Sequence, residues 1–423
     1  VNSAVSQNQP SDTEVCKTSE MVKRFQQRHP GSRQEQEENE RFTERFITQS
    51  QNVEKKTSAA GSKYIIPCVF HVYGTTQGGK TVNLSTIQTA LANWVNKDFK
   101  GLNADFGSVH SKFLSIRDTL SIEFALAKKD PDGKPTTGVV FYNTKSGYGN
   151  DGTYDSQIQQ DAWDNYSYFN IYIMSDLYAD GTTGNSGVCW YPSTAMSDKN
   201  LARCVYNGAY LGNNTSQEFA SVLTHEFGHF LNLIHTFEGG CGVNNDNVND
   251  TPTCTYPGHS CHTSSTVNDP LNCNSALINV ENYMDYSGAY GNGCYKMFTQ
   301  GQVARMKAAL DLPSRITLWQ TSNLIKTGIL TPTGIKETES VAISADVYPN
   351  PTQGKFTLHV SSDKQTSCTI TVSDVMGKVI LTQTTPATGD YSTLLDLSDE
   401  APGVYILSLS SAYSQKVIKL MKE

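Results

Sequence analysis

Three histidines and a glutamate within residues 224–237 have the types and spacing that a catalytic zinc site needs. The segment THEFGHFLNLIHTF places His225 and His229 four positions apart and His235 six positions further on. On a helix the first two lie one turn apart, so both imidazoles reach the same side and can share one metal. Glu226 follows the first histidine, where it can hold a metal-bound water and take its proton.

The residues before the first histidine support the helix that this geometry needs. Thr215 and Glu218 have the spacing of a capping box, a reciprocal pair of hydrogen bonds at a helix start. At about 100° per residue, four apolar side chains fall within roughly 80° of arc, and the two histidines fall on the other side. These four are Phe219, Leu223, Phe227 and Phe230. We therefore expect the apolar stripe to face a core and the histidines to face a cavity.

The third histidine cannot lie on the same helix face as the first two. The chain must turn after Leu231 for His235 to reach the metal, and Asn232 stands where the turn begins. After glycine, asparagine best tolerates the left-handed backbone of a helix end. The alternative is an ordinary helix with surface and core histidines, but the third histidine, the cap and the helical phase favour zinc. Intact Glu226 argues against a zinc site kept only for structure.

Length and composition limit the class of protein. A chain of 423 residues is expected to form more than one domain, and a net charge of −8 with 37% hydrophobic residues suits a soluble acidic protein. The sequence has no basic pattern for nucleic acid and no apolar run near the length of a membrane span. The first sixteen residues are polar and cannot serve as a signal peptide, so we expect an exported form to have lost its signal already.

The cysteines indicate the compartment. Five of the ten cysteines lie in the loop-rich segment after the histidines: Cys241, Cys254, Cys261, Cys273 and Cys294. That segment is rich in Gly, Asn, Thr and Pro, so we expect disulfides to hold its shape, which implies an oxidising, extracytoplasmic setting. A structural zinc cluster is the alternative, and the irregular spacing without Cys-x-x-Cys disfavours it. Cys189 and Cys204 could form a further pair, and the connectivity stays open.

Residues 1–60 differ from the rest of the chain. They hold many Gln, Glu, Lys and Arg residues, with a charged, helical-looking run at 32–51, and cannot bury much by themselves. The segment contains one cysteine, Cys16, far from the others. A thiolate there could occupy the open position of a catalytic zinc and keep the protein latent until the segment is cut away. The alternative is a disulfide between Cys16 and another cysteine.

Globular sequence begins near residue 63, and its pattern predicts a mixed sheet. Apolar or alternating runs predict strands at 64–74, 121–127, 137–142 and 168–174, and an amphipathic helix at 85–99. This order ahead of the histidine helix predicts an α+β domain with a mixed, twisted sheet and packed helices. The segment NSGVCWYP, residues 185–192, could form an edge strand that pairs with an extended substrate.

Two further motifs follow the histidines. Asp246 and Asp250 alternate with asparagines and small residues on a tight loop, which offers the oxygen ligands that calcium prefers. A solvated acidic turn is the alternative. The segment ENYMDYSG, residues 281–288, places Met284 and Tyr286 in a predicted tight turn. Beneath a zinc site the methionine would form an apolar floor, and the tyrosine could offer its hydroxyl to a developing oxyanion.

Several of these motifs, in this order, resemble the pappalysin family of metzincin zinc endopeptidases. The resemblance spans about residues 63–312 and rests on HEFGHFLNLIHTF, DTP, NYMDYS and MFTQGQVARM, with IIPCVFHVYG, EFALA, DPDG and FNIYIM before them. It implies a metzincin-like fold and a zinc ion bound by the three histidines. It also implies that Glu226 is the general base, that Met284 forms the Met-turn and that Tyr286 stabilises the oxyanion.

The resemblance also implies a calcium site, a latency switch and, for some members, a substrate preference. Calcium would be held near Asp246, Val248, Asp250 and Thr251. Cys16 matches the family's latency cysteine, although Lys17-Thr18 follows it where the family motif often has Gly-Thr. Members with an aspartate low in the pocket prefer Arg or Lys after the cleaved bond, and Asp269 is the nearest candidate. Lys55-Lys56 would then suit self-processing.

The end of the chain predicts a separate all-β domain. Residues 326–343 read as a polar linker, and beyond them short alternating strands with turn residues between them predict a small β-sandwich. The motif YPNP at 348–351, Gly377 and Gly403-Val404-Tyr405 resemble the C-terminal sorting domain of type IX secretion in Bacteroidetes-like bacteria. This resemblance implies export across the outer membrane, with later removal of the domain or its attachment to surface lipopolysaccharide. A carbohydrate-binding or adhesive sandwich is the alternative.

Together these patterns predict a secreted zymogen of a zinc endopeptidase. We expect a propeptide at 1–60, a catalytic domain at 61–325 with a loop-rich, disulfide-bonded lower half, a linker at 326–343 and a β-sandwich at 344–423. The expected partners are protein or peptide substrates and the secretion machinery, and the expected state is a monomer. The alternative is a surface adhesin with a structural metal site. Intact Glu226 and Tyr286 favour the enzyme, since a structural site needs neither.

Overall fold

The chain divides into two compact units, Val1–Thr331 and Pro332–Glu423. The computed structural model describes residues 16–53, 64–242, 246–254, 273, 277–287, 294–331, 343–375, 377–385, 388–410 and 415–423. Within these ranges, no helix combines the length and the apolar character needed to cross a membrane. Each unit has its own hydrophobic core.

Two helices open the described part of the first unit, α1 (Thr18–Arg28) and α2 (Gly31–Val53). Met21 and Phe25, four positions apart on α1, are both buried and belong to an apolar cluster that also holds Trp190. The helical run that the sequence predicts at 32–51 lies within α2. The N-terminal segment packs on the rest of the unit through one face of α1 and through charged contacts of α2.

A six-stranded sheet lies at the centre of the first unit. Its strands are β1 (Tyr64–Tyr73), β5 (Ile122–Leu126), β6 (Val139–Tyr142), β7 (Phe169–Ile173), β8 (Gly187–Cys189) and β9 (Cys204–Tyr206). The order across the sheet is β5-β1-β7-β9-β8, and β6 also pairs with β1. All pairs are parallel except β8 with β9, so β8 is an antiparallel edge strand. The predicted mixed sheet is confirmed.

Short strands and helices complete the first unit. The remaining strands are β2 (Thr76–Gln77), β3 (Lys80–Thr81), β4 (Arg117–Asp118) and β10 (Phe298–Thr299). The remaining helices are α3 (Leu84–Thr89), α4 (Asn96–Phe99), α5 (Asp155–Asp161), α6 (Thr194–Ser197), α7 (Gln217–Ala220), α8 (Val222–Phe230), α9 (Gln300–Leu310) and α10 (Thr321–Lys326). A π-helical turn at Ala90–Val95 joins α3 to α4, and together they form the helix predicted at 85–99.

The helix that carries the histidines packs on the sheet through its apolar side. The rings of Phe227 and Phe124 lie 4.7 Å apart, and those of Phe230 and Phe169 lie 3.7 Å apart. Both partners come from sheet strands, β5 and β7. Stacked and edge-to-face aromatic pairs of this kind stabilise a core beyond the area that they bury. The apolar stripe thus fixes α8 against the sheet and leaves its other side for the site.

The second unit is all-β. Its strands are β11 (Ile343–Tyr348), β12 (Lys355–Thr366), β13 (Thr369–Asp374), β14 (Val379–Thr384), β15 (Thr388–Asp396), β16 (Gly403–Ser410) and β17 (Gln415–Lys422). They form a three-stranded sheet, β11-β12-β15, and a four-stranded sheet, β14-β13-β16-β17. Phe356, Ile370 and Leu407, from both sheets, share one buried core. This arrangement confirms the predicted all-β region.

One disulfide occurs among the described residues, between Cys241 and Cys273 in the loop-rich segment. The predicted pair of Cys189 and Cys204 is wrong. These residues lie opposite each other on β8 and β9, but both are free thiols in the main core, where they pack as small apolar side chains. Cys261 lies outside the described residues.

Candidate metal centre

Helices α7 and α8 lead into the site. The helix is interrupted between them at Ser221, where ψ is −3°. The predicted capping box of Thr215 and Glu218 is wrong, because Ser216 is the residue that caps α7, through the backbone N–H of Phe219. The Glu218 carboxylate instead accepts the backbone N–H of Tyr295, 77 positions away. The Glu218 side chain therefore bonds to a residue distant in the sequence, and it does not form the capping box that the local sequence predicted.

The three histidines of the motif converge on one point. Nε2 of His229 lies 3.1 Å from Nε2 of His225 and 3.1 Å from Nε2 of His235. All three side chains are buried. Burial lowers the pKa of His225 to about 3 and lowers that of His229 well below its usual range. The imidazoles of His225 and His229 are therefore neutral, as metal ligands must be.

The other ring nitrogens decide where the protons lie. Nδ1 of His225 donates to the carbonyl oxygen of Tyr283 at 2.7 Å, and Nδ1 of His229 donates to the carbonyl oxygen of Leu233 at 2.7 Å. A carbonyl oxygen only accepts, so each ring carries its proton on Nδ1 and presents a lone pair on Nε2. Lone pairs that meet at about 3 Å repel each other unless a cation lies between them. The donor set therefore fits a metal ion.

A left-handed turn brings in the third histidine. Asn232 has φ +68°, as predicted for the residue at this helix end. The backbone N–H of Leu233 then bonds to the carbonyl of Gly228 at 2.9 Å, which closes the turn. Nδ1 of His235 faces a carboxylate oxygen of Glu238 at 3.4 Å. Asparagine therefore performs the role that glycine has at many helix ends.

Glu226 lies beside the converging nitrogens with one oxygen unused. Its side chain is buried, and Oε1 has no hydrogen-bond partner among the described residues. Burial raises the pKa of Glu226 to about 8. Strand β8 runs directly against the carboxylate, since a Cβ at Gly187 would lie 2.6 Å from Oε1. The geometry leaves Glu226 able to accept or hold a proton at the site.

Cys16 fills the remaining side of the site. Its Sγ lies 3.5 Å from Nε2 of His229 and 3.6 Å from Oε2 of Glu226. The sulfur and the three histidine nitrogens all lie within 4.8 Å of one another, and this is the one cluster of metal-ligand type in the described part of the chain. Cys16 also forms a parallel bridge with Gly187 on the edge strand. The N-terminal segment therefore enters the site along β8.

Tyr286 and Met284 both lie close to the histidine motif. The Tyr286 hydroxyl donates to the carbonyl oxygen of Cys16 at 2.7 Å and lies 3.3 Å from Nε2 of His235. Met284 is fully buried below the helix. A Cβ at Gly228 would lie 2.4 Å from its Sδ, so only glycine fits there without a shift. The structure brings both residues of the predicted turn to the site.

The predicted calcium residues are only partly together. Asp246 accepts the backbone N–H of Val248 at 3.1 Å and the hydroxyl of Thr251 at 2.7 Å, which closes a small loop. Asp250 points elsewhere, because its Oδ2 accepts the backbone N–H of Gly301 at the start of α9. The predicted pocket residue at position 269 and the lysine pair at 55–56 lie outside the described residues.

Three functional contacts escaped prediction from the sequence. Glu238 faces His235 and also accepts the hydroxyl of Ser19 at 2.7 Å. Gly187 keeps β8 close to Glu226. Glu40 of α2 pairs with Arg305 of α9. Only Glu238 carried a local signal, since it lies three positions after the third histidine.

Two protein families match the chain. Residues 152–311 match the peptidase family described as pregnancy-associated plasma protein-A, the pappalysin family. Residues 346–423 match the secretion system C-terminal sorting domain. The first match contains all three histidines and the turn with Met284, and the second lies within the all-β unit.

Curated relatives match about a third of the chain. An extracellular metalloprotease of Sordaria macrospora is 35% identical over 147 residues, which are 33% of this chain and 47% of that protein. An extracellular metalloprotease of Neurospora crassa is 35% identical over 149 residues, with coverage of 33% and 47%. The chain thus spans about half the length of the curated relatives it matches.

Solved structures match a larger part of the chain. Mature mirolysin of Tannerella forsythia, in complex with a cleaved peptide, has a TM-score of 0.53 and 25% identity over 63% of this chain and 99% of that one. A promirolysin mutant from the same organism has a TM-score of 0.52 and 25% identity over 68% of this chain and 93% of that one. The first unit therefore has a mirolysin-like fold.

Proposed function

Because residues 152–311 form a pappalysin peptidase domain and residues 346–423 a secretion sorting domain, we propose that this protein is a secreted zinc endopeptidase made as a latent precursor. One observation carries the proposal. The Nε2 atoms of three buried histidines converge on one point, with a buried glutamate and a cysteine from the N-terminal segment beside it.

His225, His229 and His235 would hold the zinc. Ligand atoms on a tetrahedral zinc with Zn–N bonds of about 2.0–2.1 Å lie about 3.3 Å apart. The observed spacing of 3.1 Å between nitrogens supports that arrangement. When bound, zinc supplies Lewis acidity, which lowers the pKa of a water in its open position and polarises a carbonyl. Met284 supports the site from below as a buried apolar floor.

Glu226 acts as the general base. Its unpartnered Oε1 is free to accept the proton of the attacking water. It then passes the proton to the leaving amine. The carboxylate lies against β8, the edge strand that could pair with an extended substrate once the N-terminal segment has left.

Tyr286 stabilises the oxyanion. In the precursor its hydroxyl donates to the backbone carbonyl of Cys16, beside the histidines. A substrate carbonyl in the same place would receive the same hydrogen bond, and that bond strengthens as negative charge develops. The Cys16 carbonyl thus marks the position of the reacting carbonyl.

The N-terminal segment keeps the enzyme latent. The Cys16 thiol occupies the side of the site that a catalytic zinc must leave open to water, and its backbone occupies the edge of β8. Removal of residues up to about 60 would free both.

We also propose that calcium binds near Asp246, Val248 and Thr251, and that Asp250 joins these ligands if its side chain turns away from α9. A preference for Arg or Lys after the cleaved bond would depend on Asp269.

The sorting domain directs the protein out of the cell. A chain with this domain is secreted or held at the cell surface by the type IX machinery, which is its proposed partner besides protein and peptide substrates. We propose that the enzyme acts as a monomer. The secretory setting agrees with the disulfide between Cys241 and Cys273.

The general base provides the test. Glu226→Ala should lower kcat by about 10²–10⁴ while the zinc content stays equimolar and the circular dichroism spectrum is unchanged. Glu123→Ala, on strand β5 away from the histidines, is the matched control and should keep full activity. Full peptidase activity in folded, zinc-loaded Glu226→Ala would refute the proposed function.

A further inference from the structure

Two glutamates of α2 hold the N-terminal segment at places other than the zinc site. The Glu35 carboxylate accepts hydrogen bonds from the hydroxyls of Ser193 at 2.9 Å and Thr194 at 2.7 Å. It also accepts the backbone N–H groups of Thr194 and Ala195. One carboxylate thus receives four donors from the turn that begins α6, just after the edge strand.

Glu40 makes the stronger contact. Both of its carboxylate oxygens bond to the guanidinium of Arg305 on α9, the Nη2 contact measuring 2.6 Å. The Arg305 side chain is 1% exposed, and its Nε donates to the carbonyl oxygen of Asn232. This is the one ion pair that Arg305 makes within the described residues. A bidentate, buried pair of this kind is both strong and geometrically specific.

Loss of Glu40 would leave a buried cation without its carboxylate. Removing one partner of a buried ion pair costs far more than removing an exposed one, because the remaining charge is poorly solvated. The apolar side of α1 adds to this, since Met21 and Phe25 are 3% and 4% exposed against the aromatic cluster of Trp190. On the side of the N-terminal segment, all of these contacts come from residues 21–40, well before the expected cut near residue 60.

We propose that Ser193–Ala195 and Arg305 form a docking surface for an acidic helix, and that its occupant after cleavage is the severed segment of this same chain, residues 16–53. The cut alone does not activate the enzyme, because the segment stays bound through α1 and α2 with Cys16 in the site. Activity appears when the segment dissociates. This inference rests on the proposed function of the segment as a propeptide.

A site-specific cut tests the docking surface. A recognition sequence for a specific protease is placed between residues 54 and 62 of the full-length chain, which is cut, passed over a gel-filtration column and then diluted stepwise before casein is added. In the wild type the severed segment should co-elute with the rest, and specific activity should rise on dilution. In Glu40→Gln the concentration at half-maximal activity should be about 10- to 100-fold higher.

The variants change only the segment that leaves, so the catalytic part is the same in every sample. Glu38→Gln is the matched control, since Glu38 is exposed on the same helix and, among the residues that the structure describes, bonds to Gln34 alone. Immediate full activity on cutting, with separation of the two pieces at all concentrations, would overturn the proposal, and so would Glu40→Gln behaving as Glu38→Gln. Co-elution at high concentration, with no activity even at dilutions where the two pieces have separated, would support the docking and contradict the proposed peptidase.

Discussion

The sulfur of Cys16 lies 3.5 Å from Nε2 of His229, although 213 positions of the chain separate the two residues. The carbonyl oxygen of the same cysteine receives the Tyr286 hydroxyl. In the proposed mechanism, these are the two places that a water and a substrate carbonyl would need. On that proposal, the N-terminal segment keeps the enzyme latent by occupying both.

Replacement of Cys16 should abolish latency. In Cys16→Ala the sulfur that faces His229 is absent, so the open position of the metal becomes accessible to water. We expect the uncut chain to gain at least tenfold in activity on casein at equal zinc content. Cys368→Ala, which removes a buried cysteine from the second unit, should leave the uncut chain latent. Equal activity of both variants would count against the cysteine switch.

Loss of the Tyr286 hydroxyl should affect the chemical step and leave binding nearly unchanged. In the cut enzyme, Tyr286→Phe should lower kcat by about 10²–10³ with little change in KM, because the hydrogen bond strengthens only as the oxyanion forms. Tyr210→Phe is the control, since that hydroxyl donates to the carbonyl of Gly184 away from the histidines. A rise in KM at constant kcat would assign Tyr286 to substrate binding.

A methyl group at Gly187 should displace the general base. The added Cβ would lie 2.6 Å from Oε1 and 2.8 Å from Cδ of Glu226, so the carboxylate must move. A displacement of about 1 Å can cost about 100-fold, and we expect kcat to fall by 10- to 100-fold while zinc stays bound. Gly184→Ala, with no atom within 4 Å of the new Cβ, should keep wild-type activity. Wild-type kcat in Gly187→Ala would show that Glu226 tolerates the shift.

Stability should depend on pH through Asp98, which is buried beneath the histidine helix. Its Oδ2 accepts the hydroxyl of Thr224 at 2.6 Å, and burial raises the pKa of Asp98 to about 7. The native state therefore binds this proton more tightly than the unfolded chain, so stability is lost as the pH rises from about 4 through 7. We therefore compare the free energy of unfolding of the wild type with that of Asp98→Asn. The wild-type value minus the variant value should fall by about 1–4 kcal/mol between pH 4 and pH 7.

Urea unfolding at pH 4.5, 6 and 7.5 measures this difference. All four tryptophans lie in the first unit, so their fluorescence reports on the unit that contains Asp98. A constant difference between wild type and Asp98→Asn, or one that grows with pH, would contradict the shift.

Local rules predicted the parts of the site that local forces decide. The spacing of His225 and His229 and the left-handed Asn232 depend on one helix and its end, and both are as expected. Alternation and apolar runs likewise placed β1, β5, β6 and β7, because parallel strands buried on both faces leave that pattern, whereas the short strand β9 was not predicted. The expected place of Cys16 rested on thiolate chemistry and on family resemblance, since no local rule joins residues so distant.

Long-range contacts account for the errors. The Glu218 carboxylate accepts the backbone N–H of Tyr295, and therefore it does not form the expected capping box. The Asp250 carboxylate likewise accepts the backbone N–H of Gly301 at the start of α9, a contact that the sequence did not predict. The ion pair of Glu40 and Arg305 joins residues 265 positions apart and has no sequence signature. Such pairings depend on the packed fold, which single-sequence patterns do not contain.

The central claim, a latent zinc endopeptidase, is tested most directly by incubating purified full-length protein with casein, with and without a zinc chelator. New N-termini are mapped by mass spectrometry. We predict cleavage that the chelator stops and added zinc restores, with loss of the segment before about residue 61. The cut sites would also show whether Arg or Lys is preferred. If neither casein nor the chain itself is cut, even after limited trypsin has removed that segment, the account is contradicted and a surface adhesin becomes the better interpretation.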